Sequence, residues 1–320
     1  MFSLVRRLSK RKELLLILGT LLLVAGIVGC SKGATPDTGD GTGAEDAAPA
    51  EASGEPVKVG SKDFTENLIL GEVYALALEN AGIPVQRNLG LASSAVHQTL
   101  ISGDIDLYPE YTGTGLLSVL QLPLETDPQK VYDTVKDEYK KQFDLVWLDY
   151  APANDGQGLV VTKALSDKYG ITNISEFQQN AAQIRFASQG EFDEREDGIP
   201  ALVKVYGPLK FKSSKVYDNS LKYEILAKDE ADAAPAYTTE GQLIQPEFVL
   251  LDDDKQVWPP YNIAPVVRQA TLDAYPQIAE VLNGIAAGLT TEKVTELNAK
   301  VDVEGQEYEE VAADYFNSIK

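Results

Sequence analysis

From residue 57 onward, apolar and polar residues alternate in a pattern that predicts strands and helices in turn. Residues 57–61 (VKVGS) form a short β-like run, residues 65–81 have apolar positions at helical spacing, and residues 85–89 resemble the next strand. Further strands are predicted at 105–107, 145–148, 158–162, 184–187 and 248–251, and a further helix at 96–102. Strands that alternate with helices are typical of α/β domains with mainly parallel sheets.

One stretch of the sequence occurs twice, which indicates two related lobes. Residues 100–115 (LISGDIDLYPEYTGTG) align without a gap to residues 226–241 (LAKDEADAAPAYTTEG), at an offset of 226 − 100 = 126. Each copy resembles a strand that ends in a Pro-x-Tyr-Thr turn, and ligands of open α/β sheets bind at that end of the strands. Tyr111 and Tyr237 are therefore expected to face a common cleft. The alternative is that both tyrosines pack at strand ends because the lobes share a topology.

The first 30 residues have the pattern of an export signal. A basic run (MFSLVRRLSKRK) precedes an apolar run (ELLLILGTLLLVAGIVG) that ends in small residues at Cys30. The end of this run resembles a bacterial lipobox, so we predict a signal peptide at 1–29 and a lipid on Cys30. The protein would then be anchored to the cell membrane and face outside the cytoplasm. A plain transmembrane anchor is the alternative, because the apolar run is near the lower length for a span.

Residues 30–56 are rich in Gly, Ala, Thr, Pro, Asp and Glu and have no large apolar side chain. Such a segment cannot bury enough surface to offset the entropy of ordering, so we expect an acidic flexible tether. The remaining residues, 57–320, are enough for two lobes. We predict lobe one at 57–150 plus 262–320 and lobe two at 151–261, with the chain crossing between them near 148–158 and 252–262.

The composition excludes several classes of function. The chain has 28 Lys and Arg against 49 Asp and Glu, a net charge of −21, which argues against nucleic acid as a partner. Cys30 is the only cysteine, so the folded part has no disulfide, thiolate metal site or cysteine nucleophile. No Gly-x-Ser-x-Gly elbow, phosphate-binding loop or histidine pair points to an enzyme, and no cofactor or metal is implied. The single histidine, His97, is interpreted as an ordinary helix residue.

The tyrosines suggest one kind of ligand. A solute with a fixed positive charge and no N–H donor is held by aromatic faces, each worth about 0.5 to 2 kcal/mol through cation–π attraction. The chain has 15 tyrosines, and several of them, such as Tyr261 in VWPPYNIAP, lie in predicted loops. A carboxylate on such a solute would be bound by Arg or Lys with hydroxyl groups. Lys62, Thr114 and Arg195 are candidates for that role.

Four runs resemble the substrate-binding proteins of ABC importers for the osmoprotectants glycine betaine, carnitine and choline. They are VGSKDFTENLILGEVYALALE, DIDLYPEYTGTGL, REDGIPALVKVYG and PPYNIAPVV, and the resemblance covers nearly all of residues 57–320. It implies a type II periplasmic-binding-protein fold, in which two α/β lobes joined by a two-strand hinge close on a solute in the cleft. It also implies a permease and an ATPase as partners, and we expect the binding protein to be a monomer.

The resemblance also implies which residues bind the solute. Members of the family usually surround the cationic head with four tyrosines. They hold the carboxylate with a lysine after the first strand, a threonine just after the first cage tyrosine and an arginine in the second lobe. The matching positions are Tyr111, Tyr237, Tyr261, Lys62, Thr114 and Arg195, whereas Gln157 stands where the fourth tyrosine is usual.

Because of Gln157, more than one ligand is compatible with the sequence. An amide adds donors and an acceptor that a simple betaine cannot use. Carnitine, a histidine betaine such as ergothioneine, or a cationic amino acid are therefore alternatives to glycine betaine. A surface sensor is a further alternative, because the same bilobed fold can serve more than one function.

Overall fold

The computed structural model describes residues 54–218 and 221–320, and the predicted signal peptide at 1–29, Cys30 and most of the predicted tether lie outside them. The strands are β1 (Val57–Lys62), β2 (Val85–Leu91), β3 (Leu107–Tyr111), β4 (Leu145–Trp147), β5 (Gln157–Thr162), β6 (Arg185–Ser188), β7 (Ser213–Val216), β8 (Ala233–Tyr237), β9 (Phe248–Leu250) and β10 (Ile263–Arg268).

The α-helices are α1 (Thr65–Asn80), α2 (Val96–Ser102), α3 (Thr112–Thr114), α4 (Pro128–Phe143), α5 (Lys163–Tyr169), α6 (Ile174–Gln179), α7 (Gly190–Glu194), α8 (Ile199–Tyr206), α9 (Lys222–Ala227), α10 (Gln269–Ala274), α11 (Gln277–Ala287), α12 (Thr291–Asp302) and α13 (Tyr308–Ile319). A π-helical turn (Gly115–Val119) continues α3, and short 3₁₀ helices cover Ala181–Gln183 and Gly241–Ile244. No helix within these described residues is long and apolar enough to span a bilayer.

The strands form two five-stranded sheets. The first has the order β2-β1-β3-β10-β4 and the second the order β7-β6-β8-β5-β9. We call the first sheet and its helices lobe one, and the second sheet and its helices lobe two. Both lobes combine a sheet with packed helices, as the sequence pattern predicts for an α/β fold.

The sheets are mainly parallel, as expected, since four of the five strands in each run in the same direction, and one strand in each sheet is antiparallel to the others. In lobe one β1 pairs in parallel with β2 and β3, but β10 is antiparallel to β3 and β4. Lobe two repeats this pattern, because β5 is antiparallel to β8 and β9. The first residues of β10 and β5, Ile263 and Gln157, pair with Tyr111 and Tyr237 at the carboxyl ends of β3 and β8. The chain reaches both β5 and β10 from the other lobe. Each of them therefore begins at the edge of its sheet where the parallel strands end, and runs antiparallel to those strands.

The internal repeat corresponds to one structural unit in each lobe. Strands β3 and β8 begin at 107 and 233 and end at 111 and 237, so both bounds differ by 126. Helix α2 precedes β3 and helix α9 precedes β8. Tyr111 and Tyr237 thus lie at the carboxyl ends of equivalent strands, as the sequence predicted, but each is the last residue of its strand and not part of a turn that follows it.

Two irregular segments join the lobes, residues 148–156 and residues 251–262, and we call them the crossing segments. They bridge each other in an antiparallel sense at Asn154 and Asn262. The Asn262 amide donates to the carbonyl oxygens of Ala151 and Ala153 at 3.1 and 3.2 Å. The Tyr261 N–H donates to the Asn154 side chain at 2.6 Å. These side chains make hydrogen bonds to backbone groups of the crossing segments that are outside both sheets and so have no strand as a partner.

Helix α1 links the core of lobe one to the cleft. Its apolar residues are almost wholly buried because α11, α12 and α13 cover the side that faces away from the sheet. Glu66 and Asn67, in its first turn, are also buried. Buried polar groups of this kind need hydrogen-bond partners. The partners of Glu66 and Asn67 lie where the two lobes meet.

Candidate ligand-binding site

A cavity of about 1400 Å³ lies between the two lobes. Its lining includes all seven residues predicted to bind the solute, which are Lys62, Tyr111, Thr114, Gln157, Arg195, Tyr237 and Tyr261. They come from the carboxyl ends of β1, β3 and β8, the start of β5, helix α3, the loop after α7 and one crossing segment. The volume exceeds the roughly 300 to 1,000 Å³ usual for small-molecule sites, so it has room for a solute and water together.

Tyr111 forms part of the lobe-one wall. Its hydroxyl donates to Glu66 at 2.8 Å and accepts from the Asn67 amide at 3.2 Å. Burial raises the pKa of Tyr111 well above its usual range, so the hydroxyl stays protonated. The ring of Phe64 lies 6.1 Å from the Tyr111 ring, centroid to centroid, and also lines the cavity. Phe64 was not predicted, although it is the aromatic residue that most closely follows β1.

Tyr261 is held against the backbone of lobe one. A Cβ atom on Gly113 would lie 2.6 Å from Cδ1 of the Tyr261 ring, so this close approach requires glycine at position 113. The Tyr261 hydroxyl donates to Asp197 at 2.9 Å. Tyr261 therefore contacts both lobes from its crossing segment.

The lobe-one cation of the cavity already has a carboxylate partner. The Lys62 ammonium forms an ion pair with Glu110 at 2.5 Å, and both side chains are buried. The same ammonium lies 4.9 Å from the centroid of the Tyr111 ring. Glu110 also accepts from the Tyr108 hydroxyl at 2.6 Å. A solute carboxylate at Lys62 would have to share the ammonium with Glu110.

Lobe two repeats this pairing. Lys222 is buried, forms an ion pair with Glu240 and lies 5.5 Å from the centroid of the Tyr237 ring. Arg195 forms a two-point ion pair with Asp197 through Nε at 2.8 Å and Nη2 at 2.6 Å. Within the described lining, each of the three Lys and Arg side chains is thus paired with a carboxylate.

The lining as a whole is acidic. It holds seven carboxylates against three cations, an excess of 7 − 3 = 4 negative groups when all are ionised. The carboxylates are Asp63, Glu66, Glu110, Asp155, Asp218, Glu240 and Asp302. A cleft lined by one sign of charge attracts ligands of the opposite sign. No group of three or more His, Cys, Asp or Glu among the described residues is arranged to hold a metal ion.

Two carboxyls and one hydroxyl join the lobes. The Thr239 hydroxyl in lobe two lies 2.5 Å from Glu66 in lobe one and 2.7 Å from Asp155 in a crossing segment. Glu66 also accepts from the Asn298 amide at 3.1 Å. Burial raises the pKa of both Glu66 and Asp155, and their mutual repulsion raises that of Asp155 further. The Thr239 hydroxyl has one proton, so it can donate to only one of the two carboxylates at a time. Protonation of either Glu66 or Asp155 supplies the proton for the second hydrogen bond.

The remaining predicted residues have simpler surroundings. The Gln157 amide lies 3.5 Å from Asp197, the limit for a hydrogen bond. Thr114 lines the cavity from α3. His97 also lines the cavity, and its ring packs edge-on against Tyr139 and Phe143 at centroid distances of 5.3 and 4.9 Å. Burial lowers the pKa of His97.

Residues 55–318 match the family described as the substrate binding domain of the ABC-type glycine betaine transport system. The chain belongs to this family. Proteins of this family are solute-binding proteins of ABC importers, which act outside the cytoplasm, bind a small ligand and interact with a permease. The chain is therefore related to transport proteins rather than to enzymes.

Named relatives agree with this assignment. The glycine betaine-binding protein YehZ of Escherichia coli is 34% identical over 276 residues, which cover 81% of this chain and 89% of the relative. The ergothioneine transport permease/ergothioneine binding protein EgtU of Helicobacter pylori is 32% identical over 268 residues, or 83% of this chain. The chain spans about half of that relative, since the match covers 48% of it.

A solved structure confirms the fold class. The crystal structure of a glycine betaine/carnitine/choline ABC transporter superposes with a TM-score of 0.74 at 26% sequence identity, over 82% of this chain and 98% of the other. The predicted bilobed periplasmic-binding-protein fold is thus correct. The resemblance inferred from the four sequence runs is confirmed as well.

Proposed function

We propose that this protein captures a quaternary-ammonium solute outside the cytoplasm and delivers it to an ABC permease powered by an ATPase. The candidate solutes are glycine betaine or a related betaine, carnitine and choline. The observation that carries the proposal is the convergence of Tyr111, Tyr237 and Tyr261 on one cavity whose lining holds seven carboxyl groups against three cations. Aromatic faces and a negative field are what a fixed cation without N–H donors requires.

In this proposal the lobes comprise residues 57–150 plus 262–320 and residues 151–261, and the solute bridges them. Tyr111, Tyr261 and Tyr237 surround the cationic head. Lys62, Thr114 and Arg195 bind a carboxylate where the solute has one, and Gln157 contacts further polar groups. Since the bridging contacts exist only when the lobes are together, the solute shifts the population toward the closed state.

A thermal-shift and calorimetric screen of the purified protein without its signal peptide tests the proposal. The compounds are glycine betaine, proline betaine, carnitine, choline, ergothioneine and the common amino acids. A ligand at a hundred times its dissociation constant should raise the free energy of unfolding by about 2.7 kcal/mol. We expect this response from quaternary amines and not from ordinary amino acids. A folded protein that responds to none of the quaternary amines would contradict the proposal.

Ergothioneine is a second candidate, and the size and polarity of the cavity favour it. The cavity of about 1400 Å³ exceeds what glycine betaine fills, and the Gln157 amide forms part of its wall. Ergothioneine adds ring N–H donors to a trimethylammonium head, and Glu66 and Asp155 are acceptors in the same cavity. One of the named relatives is an ergothioneine binding protein. In the screen above, ergothioneine binding at least tenfold tighter than every other solute would establish this candidate.

We also propose that the mature protein begins at Cys30, is lipid-anchored to the cell membrane and acts as a monomer. The support for the lipid anchor is the basic run, the apolar run and the small residues before the only cysteine of the chain. Cells grown with a radiolabelled fatty acid should label the wild-type protein, whereas a Cys30→Ser variant should remain unlabelled. Equal labelling of the two proteins, or none in either, would exclude this anchor.

A further inference from the structure

Asp197 lies directly beside residues that line the lobe-two side of the cavity without itself being one of them, and the sequence singled out only its neighbour Arg195. Its side chain is 10% exposed. One carboxylate oxygen accepts from Arg195 Nε at 2.8 Å. The other accepts from Arg195 Nη2 at 2.6 Å and from the Tyr261 hydroxyl at 2.9 Å, and lies 3.5 Å from the Gln157 amide. Asp197 therefore contacts three of the seven proposed ligand-binding residues.

Further contacts fix Asp197 in this position. Its backbone carbonyl accepts from the Trp258 indole N–H at 2.6 Å, which ties the loop after α7 to a crossing segment. Burial opposes ionisation, but the hydrogen bonds and charge of Arg195 outweigh it and lower the pKa of Asp197. The carboxylate is thus ionised at neutral pH.

The ion pair with Asp197 changes how Arg195 can interact with a ligand. A guanidinium binds a carboxylate most strongly by two parallel N–H donors, and Asp197 occupies Nε and Nη2. A solute carboxylate that approaches Arg195 meets a guanidinium whose charge is already compensated, and is repelled by Asp197. A solute with a hydroxyl in place of the carboxylate is not repelled, and its cationic head is attracted.

We infer that Asp197 is a specificity-determining residue that selects cationic quaternary amines, such as choline, over zwitterionic betaines. The inference rests on the proposed function and argues against its second candidate, because ergothioneine is itself a zwitterionic betaine. It assigns Arg195 a different part from the one that the family resemblance implies, because Arg195 serves first as the partner of Asp197. The other two cations of the lining, Lys62 and Lys222, are paired in the same way.

Choline and glycine betaine form a matched pair for the test, since they share the trimethylammonium head and differ in a hydroxymethyl group against a carboxylate. Calorimetry should show that the wild-type protein binds choline more tightly than glycine betaine. Asp197→Asn keeps the size of the side chain and removes its charge. We expect the ratio of the dissociation constants, choline over glycine betaine, to rise at least tenfold, because a charge a few ångströms away contributes at least this much in a partly buried site.

Glu196→Gln is the control, because Glu196 is exposed, lies in the same loop and loses the same charge. Its ratio should stay within about twofold of the wild type. A wild type that prefers glycine betaine tenfold or more would overturn the inference, even if Asp197→Asn fails to fold. So would an Asp197→Asn variant with an unchanged ratio. If the wild type binds neither solute nor any other quaternary amine, the proposed function itself is wrong, and the inference falls with it.

Discussion

A variant with alanine in place of Tyr237 will bind the quaternary-ammonium solute at least tenfold more weakly than the wild-type protein. The ring is half-buried at the end of β8 and lines the cavity. Its loss removes a cation–π contact of about 0.5 to 2 kcal/mol together with apolar contact area. A tenfold change corresponds to about 1.4 kcal/mol. Calorimetric titration with the solute identified in the ligand screen measures the effect directly.

Tyr169→Ala is the matched control for this prediction. Tyr169 is also a half-buried tyrosine of lobe two, but it lies at the end of α5, outside the cavity lining. It should lose some stability and keep its affinity. Tyr111→Ala should also weaken binding tenfold or more, but part of its effect will come from the hydrogen bond that Tyr111 donates to Glu66. Equal affinities for the Tyr237 and Tyr169 variants would show that the cage is misplaced.

A Gly241→Ala variant will bind the solute about ten- to a hundredfold more weakly, because the added methyl group keeps the lobes apart. Gly241 opens the 3₁₀ helix after β8, and a Cβ there would lie 2.5 Å from the backbone N and 2.6 Å from the Cα of Ala299 in α12. These are backbone atoms of the other lobe, which cannot turn aside as a flexible side chain would. Overpacking of this kind typically costs about 1 to 3 kcal/mol.

Gly284→Ala is the control for the closure prediction. Gly284 lies in α11, and no atom lies within 4 Å of the position its Cβ would take. Neither glycine has the positive φ that disfavours other residues, so alanine adds no backbone strain at either position. Small-angle scattering should show that the solute compacts the wild type and the Gly284 variant but not the Gly241 variant. Normal compaction and affinity in the Gly241 variant would contradict this prediction.

The sequence was sufficient for the features that recur locally. The helix at 96–102 was predicted with the bounds it has in the structure, and the repeat located Tyr111 and Tyr237 at the ends of equivalent strands. Hydrophobic periodicity and turn residues are patterns among residues that are close together in the chain, so they can be recognised in a single sequence. The direction of β5 and β10 depends instead on where the chain enters each sheet, which short-range patterns do not record.

The charge pairing of the cavity could not be predicted for a similar reason. The hydrogen bond between Thr239 and Glu66 joins residues 173 positions apart, and it exists only because the two lobes meet. Arg195 was identified as a candidate, but nothing in REDG indicates which of its acidic neighbours turns toward it. Asp197 does so because Tyr261 and Trp258 from a crossing segment bind it on the other side.

Some residues that line the cavity lie on the crossing segments and others lie on lobe two. The association rate and the dissociation rate of the solute should therefore depend on different residues. Asp155 and Tyr261 lie on these segments, close to the axis about which the lobes would turn, so they move little and meet the solute in either state. They would therefore govern the association rate. Tyr237 and Thr239 approach with lobe two and would govern how long the solute stays. The weaker binding of the Tyr237 variant should accordingly consist of faster dissociation with nearly unchanged association.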